Sequence, residues 1–177
     1  GTVNPRVFID RLAKKMPANV TVVADVGQNQ IWTCTEYKFR KEGRLLTSGG
    51  MGTMGYSVPA AIGAKMADDS RATVAICGDG AFQMSFMELA TAVQFGVDIK
   101  VVVMTNNRLG MVRELQTNGY HDRQTAVFLD GSPDFIKLAE AYGIPAMRVY
   151  DDDTMEKGVE MLAEHKGICL VEVVVDK

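Results

Sequence analysis

Short apolar runs rich in β-branched residues alternate with longer amphipathic stretches along this chain, and that alternation constrains the fold more than any other feature. The runs cover residues 20–24, 72–77, 99–104, 147–150 and 168–175. Most of them are apolar without a polar face, the pattern of strands covered on both sides. The stretches between them carry helix punctuation. Asn4 before Pro5 predicts an N-cap and a first helical residue, and Phe8, Ile9, Leu12 and Met16 recur behind them at helical spacing. Residues 28–37 predict a helix, and residues 55–68, with Ala60, Ala61, Gly63 and Ala64, a closely packed one. Ser85 and Glu88 before Leu89, Ala90 and Val93 predict a capping box whose helix Gly96 closes. Ser132-Pro133 starts a further helix, and Asp153 with Glu156 predicts a capped one ending at Gly167, with Asp151 to Asp153 as a helix-start charge cluster. Leu45-Leu46 is too short for a strand, and residues 108–131 show the least periodicity. Hairpin turn signals are absent between the runs. The chain is therefore expected to be α/β: a three-layer α/β/α arrangement with a mostly parallel sheet of about six strands and helices on both faces. No repeat or second domain breaks residues 1–177.

Composition narrows the function classes. At 47% hydrophobic and 23% charged residues the chain is neither disordered nor fibrous. Nineteen basic against 22 acidic residues, a net charge of −3, give no electrostatic basis for binding nucleic acid or an anionic membrane. No apolar run approaches the ~20 residues of a membrane-spanning helix. Cys34, Cys77 and Cys169 are odd in number and widely spaced, which predicts reduced thiols in a cytoplasmic protein and no zinc site. The chain opens at Gly1 without a Met and stops after its last apolar run, so both ends are expected to be cuts in a longer protein.

Ligands of open parallel sheets lie at the carboxyl ends of strands, which directs attention to the residues just after the runs. Gly50-Met51-Gly52-Thr53-Met54-Gly55 has the G-x-G-x-x-G spacing of a dinucleotide fingerprint, but the apolar run before it is only Leu45-Leu46, and the acidic pair Asp68-Asp69 comes before the next strand. Close backbone packing is the alternative. Gly78-Asp79-Gly80 ends one run, and 25 residues later Asn106-Asn107 ends the next. A right-handed parallel crossover brings such ends side by side, so Asp79 and an Asn can converge. A carboxylate, an amide oxygen and a backbone carbonyl suit Mg²⁺, and flanking glycines let backbone N–H groups approach a diphosphate. Taken singly, Gly-Asp-Gly also reads as an ordinary turn.

The pair at this spacing resembles the diphosphate and metal motif of thiamine diphosphate enzymes. The resemblance extends to Asp25-Val26-Gly27-Gln28-Asn29-Gln30-Ile31-Trp32, to the stretch from Thr47 to Tyr56, to Pro59-Ala60-Ala61-Ile62-Gly63-Ala64 and to Leu109-Gly110-Met111-Val112-Arg113. Together these blocks resemble the C-terminal, diphosphate-binding domain of acetolactate synthase (acetohydroxyacid synthase) large subunits over essentially the whole chain. The resemblance implies roles. Asp79 and Asn106, with Asn107 as the alternative, would hold Mg²⁺, and Arg108 would add its backbone carbonyl. Gln28, Asn29, Gly80 and Ala81 would lie along the diphosphate, with Gly110 and Met111 beside them. The Gly52 carbonyl would meet the 4′-amino group of the pyrimidine, and Met54 would hold the cofactor bent. Such an enzyme decarboxylates pyruvate and joins the two-carbon unit to a second 2-keto acid, in branched-chain amino acid biosynthesis, with the cofactor as electron sink. The Glu that activates the cofactor would lie on a domain missing from this chain, in a neighbouring subunit. This leaves the chain without a catalytic residue of its own and inactive in isolation. The resemblance also implies a dimer or tetramer and allows a regulatory subunit and FAD in the full-length protein.

Departures are local. Asn29 and Ile31 stand where the family commonly has His and Met, and Leu115 stands where many members carry a Trp that shapes preference for the second keto acid. Two other readings stay open: another thiamine diphosphate decarboxylase, carboligase or pyruvate oxidase, and a non-catalytic nucleotide-binding domain with a Rossmann-like sheet. His121 reads as a surface-loop residue, His165 as a helix C-terminal cation, and most of the 11 Met residues as core filler.

Overall fold

The computed structural model describes residues 1–176. Its elements in chain order are α1 (Pro5–Lys15), β1 (Thr21–Ala24), α2 (Gln28–Glu36), β2 (Arg44–Thr47), α3 (Ser57–Ala67), β3 (Thr73–Gly78), α4 (Asp79–Phe82), α5 (Leu89–Gln94), β4 (Ile99–Thr105), α6 (Gly110–Gly119), α7 (Phe135–Ala141), β5 (Ala146–Val149), α8 (Asp152–Glu164) and β6 (Cys169–Val174). The strands form one six-stranded sheet in the order β2-β1-β3-β4-β6-β5. Every pairing is parallel. The fold is the α/β architecture that the alternation predicts.

Side chains of successive strand residues point to opposite faces, and here they feed two separate cores. Val22, Val74, Ile76, Val102 and Val171 pack under α1, α2 and α8, against Phe8, Leu12, Tyr37, Met155 and Leu162. Val23, Ala75, Cys77, Val101, Val103 and Leu170 pack under α3, α4, α5 and α7, against Val58, Ala61, Phe82, Leu89 and Phe135. β1 and β4 are buried along their whole length, as strands covered on both faces must be.

Local signals mostly sit where the sequence puts them. Asn4 Oδ1 accepts from the N–H groups of Arg6 and Val7 at 2.9 and 3.4 Å and caps α1. Four expectations are corrected. Leu45-Leu46 do form a strand, β2, which lies at the sheet edge half-exposed and so needs no continuous apolar run. Ser85 makes no capping bond, because a 3₁₀ turn over Phe86–Glu88 joins α4 to α5 and leaves the Ser85 hydroxyl buried without a partner. The box that starts α8 is Asp151 with Thr154, so Asp153 and Glu156 lie inside the helix. The 108–131 stretch contains α6, which buries none of its residues and therefore carries no core-facing stripe. His165 is the C-cap residue of α8, as its position in the sequence predicts, and Lys100 adds a cation there: its Nζ donates to the carbonyls of His165 and Gly167 at 2.7 and 2.6 Å. No helix among the described residues is long and apolar enough to cross a membrane.

Candidate cofactor site

After β1 the chain turns to the face that carries α2, whereas after neighbouring β3 it turns to the face that carries α4 and α5. The two connections leave in opposite directions. That opens a crevice at the carboxyl ends of these strands, the place where open α/β sheets bind ligands. A cleft of about 570 Å³, counting the solvent open at its mouth, lies there, lined by Gln28, Asn29, Gly78, Asp79, Gly80, Ala81 and Asn106 on its polar side. Trp32, Met54, Met104, Leu109, Met111, Val112 and Val175 supply the apolar side.

Asp79 is the central group. Its side chain sits at the start of α4 and is 2% exposed. One carboxylate oxygen accepts from Gly80 N–H at 2.8 Å, and the other accepts from the N–H groups of Asn106 and Asn107 at 3.1 and 2.6 Å. The convergence expected from spacing is thus a direct contact between the ends of β3 and β4, made possible by the register that pairs Gly78 with Met104. Burial pushes the Asp79 carboxyl above the ordinary Asp range, against the opposite pull of those N–H bonds. No Lys or Arg among the described residues pairs with it.

The neighbouring donors are neutral oxygens. Asn106 Oδ1 accepts from Arg108 N–H at 3.0 Å, and Asn107 turns the chain with a φ of 56°. The Arg108 guanidinium is tied to Asp130 at 2.8 Å and lies 4.6 Å from the Phe128 ring centroid, so only the Arg108 backbone is offered to the site. The described residues hold no cluster of three His, Cys, Asp or Glu side chains. One buried carboxylate with no cation beside it, flanked by an amide oxygen and a backbone carbonyl, is a hard-oxygen set that fits Mg²⁺ completed by phosphate oxygens and water. Glycines keep the cleft open: a Cβ on Gly80 would stand 2.7 Å from Leu109 Cδ2 and 3.4 Å from Met54 Cε.

The remaining predicted residues divide. Gln28, Asn29, Met54, Ala81, Gly110 and Met111 line the cleft. The Asn29 side chain faces inward, donating to the carbonyls of Asp25 and Ile76 at 2.9 and 3.1 Å, and so knits β1 to β3. Gly52 does not line the cleft; it lies on the exposed 48–55 loop with a φ of 63°. Trp32 ends the Asp25–Trp32 block without a role assigned to it and Val175 carries no motif, since an apolar residue on α2 or at the end of β6 gives no chemical signal of its own.

The dinucleotide reading loses its anion site. Asp25, fully buried, accepts from Gly55 N–H at 3.0 Å and from Ser57 N–H at 2.8 Å. The start of α3, where a dinucleotide would place its pyrophosphate, is already held by the protein's own carboxylate.

Comparison with known proteins agrees with this geometry. The family model described as "Thiamine pyrophosphate enzyme, C-terminal TPP binding domain" matches residues 25–173. The acetolactate synthase large subunit of Lactococcus lactis is 38% identical over 175 residues, covering 99% of this chain and 30% of that protein. The acetolactate synthase of Arthrospira platensis is 43% identical over 152 residues, covering 84% and 26%. The mitochondrial acetolactate synthase catalytic subunit of Saccharomyces cerevisiae is 38% identical over 178 residues, covering 99% and 26%. The chain spans 26–30% of the length of these relatives. A match that runs from Asp25 through both strand ends of the cleft makes the chain a member of the thiamine pyrophosphate enzyme family, corresponding to its C-terminal TPP-binding domain.

Proposed function

We propose that residues 1–177 are one domain of a longer cytoplasmic acetolactate synthase catalytic subunit, and that the domain holds the Mg²⁺-diphosphate end of the cofactor. The observation that carries this reading is Asp79: a buried carboxylate without a cation, facing a glycine-lined cleft beside Asn106 and Arg108. The likeness of nearly the whole chain to acetolactate synthases narrows the reaction.

In this reading the Asp79 carboxylate, Asn106 Oδ1 and the Arg108 carbonyl hold the cation. Gln28, Gly80, Ala81, Gly110, Met111 and the backbone of Asn29 lie along the diphosphate. The 48–55 loop brings the Gly52 carbonyl and Met54 to the pyrimidine. When bound, thiamine diphosphate supplies the electron sink for decarboxylating pyruvate and joining the product to a second 2-keto acid. This chain's residues bind, orient and neutralise; Trp32, Met111 and Val112 keep water from one wall of the cleft. The activating Glu and any FAD are assigned to sequence outside this chain. The working enzyme is a homo-oligomer, dimer or tetramer, with a regulatory subunit as its partner.

Calorimetry tests the cofactor: Mg²⁺-dependent binding of thiamine diphosphate supports the reading, and binding of NAD or ATP in its place overturns it. The full-length protein tests the reaction. Acetolactate from pyruvate is expected, and carbon dioxide with acetaldehyde or peroxide as the products would move the protein to another branch of the family.

A further inference from the structure

A line of hydrogen bonds crosses the mouth of the cleft from α6 to the end of β4. Glu114, one turn into α6, accepts from Gln28 Nε2 at 3.3 Å. Gln28 Oε1 accepts from Asn106 Nδ2 at 3.5 Å, and Asn106 Oδ1 accepts from Arg108 N–H at 3.0 Å. This line has a direction. A carboxylate only accepts and a backbone N–H only donates, so each of the two amides between them has one orientation that makes both of its bonds. Reversing Gln28 would set its NH₂ against that of Asn106. Reversing Asn106 would set its NH₂ against the Arg108 N–H. Space for the crossing comes from Gly110, where a Cβ would stand 1.9 Å from Gln28 Oε1.

Glu114 itself does not line the cleft. The geometry points to Glu114 as a positioning residue that acts through Gln28 to keep the oxygen of Asn106, and not its nitrogen, beside the Arg108 backbone, where it can serve a divalent cation. The part played by the cation rests on the cofactor reading above; the amide orientation does not. Arg108 N–H is a second restraint on Asn106, so the effect on cation affinity is expected to be about fivefold, below the ~10–100-fold that a directly bonded outer partner commonly carries.

Two variants remove the same charge and differ in polarity. Glu114→Gln keeps an oxygen that can accept from Gln28, and Glu114→Met has similar length and none. Both are compared with the wild type in the full native polypeptide, first without ligand and then with thiamine diphosphate and Mg²⁺. Without ligand, nitrogen labelling of asparagine side chains reads the Asn106 amide by NMR. Its resonances should shift and exchange faster in Glu114→Met and stay near wild type in Glu114→Gln, although residue 114 makes no hydrogen bond to Asn106. With saturating thiamine diphosphate, calorimetric titration reads Mg²⁺ binding. Glu114→Gln should stay within about twofold of wild type and Glu114→Met should bind about fivefold more weakly. Equal weakening in both variants overturns the proposal, because charge rather than the acceptor would then be responsible. An unchanged Asn106 amide in Glu114→Met overturns it as well. A wild type with no Mg²⁺-dependent response overturns the cofactor reading instead, and the ligand-free amide measurement still decides the relay.

Discussion

Asp25 and Asp79 follow or end neighbouring parallel strands, are buried, and each accept from three backbone N–H groups. Their surroundings separate them. Asp25 spends its bonds on Val26 and on Gly55 and Ser57 at the entry to α3, and it lies behind the cleft wall. Asp79 spends its bonds on Gly80, Asn106 and Asn107 and faces the open cleft. Neither has an ion-pair partner among the described residues, so the number of hydrogen bonds does not tell a fastening from a ligand. What lies on the open side does. A group facing a cleft can exchange water for a cation and phosphate, whereas a group enclosed by protein can only hold the backbone that surrounds it.

Substitution is the sharpest way to break this comparison. Asp79→Ala should weaken Mg²⁺-dependent thiamine diphosphate binding beyond the ~10–100-fold expected for loss of an outer partner, with the circular dichroism of the fold retained because water in the cleft can take up the freed N–H groups. Calorimetry checks it, and unchanged affinity would sink the metal assignment. Asp25→Ala should act on stability: hydrogen bonds to a charged group contribute about 1.5–3 kcal/mol each and do not add, so a loss of roughly 3 kcal/mol or more is expected in urea unfolding. If Asp25→Ala lost cofactor before it lost stability, the distinction between the two carboxylates would fall.

The glycines beside each carboxylate give a smaller, parallel test. Gly55 has a φ of +85°, and a Cβ there would lie 3.0 Å from Met84 Cβ. Gly80 would bring its Cβ to 2.7 Å from Leu109. Alanine at either should cost about 1–3 kcal/mol in thermal unfolding. Gly80→Ala should weaken Mg²⁺-dependent binding more than Gly55→Ala, because Gly80 adjoins Asp79 in the cleft.

Protonation gives the smallest effects, and their signs differ. The Asp79 carboxyl is raised by burial, so between the ordinary Asp value of about 3.9 and the raised one the folded, ligand-free protein keeps a proton that the unfolded chain has released. Stability of the ligand-free protein therefore rises as pH falls through that window, while Mg²⁺-dependent binding, which needs the ionised form, weakens. Asp151 runs the other way. The Thr154 hydroxyl and N–H hold its carboxyl below the ordinary range, so its support of α8 is present above the unfolded value and is lost as pH falls through the lowered one. Melting curves of wild type and Asp151→Ala should converge at the acid end.

Much of this was legible in the chain because it depends on neighbours in sequence. The strands β1, β3, β4 and β6 announce themselves as apolar runs, since burial on both faces leaves no polar alternation to obscure them. Edge strand β2 and helix α6 do not, because little or none of either is buried and no pattern records them. The spacing of Asp79 and Asn106 suggested that they meet, and parallel register made the meeting a hydrogen bond. Asp25 opens a family-like block after β1, but nothing in that block pairs it with Gly55 and Ser57, and Glu114 is an acid on an exposed helix.

The sequence by itself determined the α/β alternation, the glycine-flanked Asp79 and the family to which the chain belongs, because all three are written in local order and spacing. Only the tertiary structure decided which buried carboxylate faces a cleft, that α3 begins on Asp25, and that Glu114 reaches Asn106 through Gln28. Those facts depend on which strand ends become neighbours and on which side the connecting chain leaves them, and neither is a property of any short stretch of sequence.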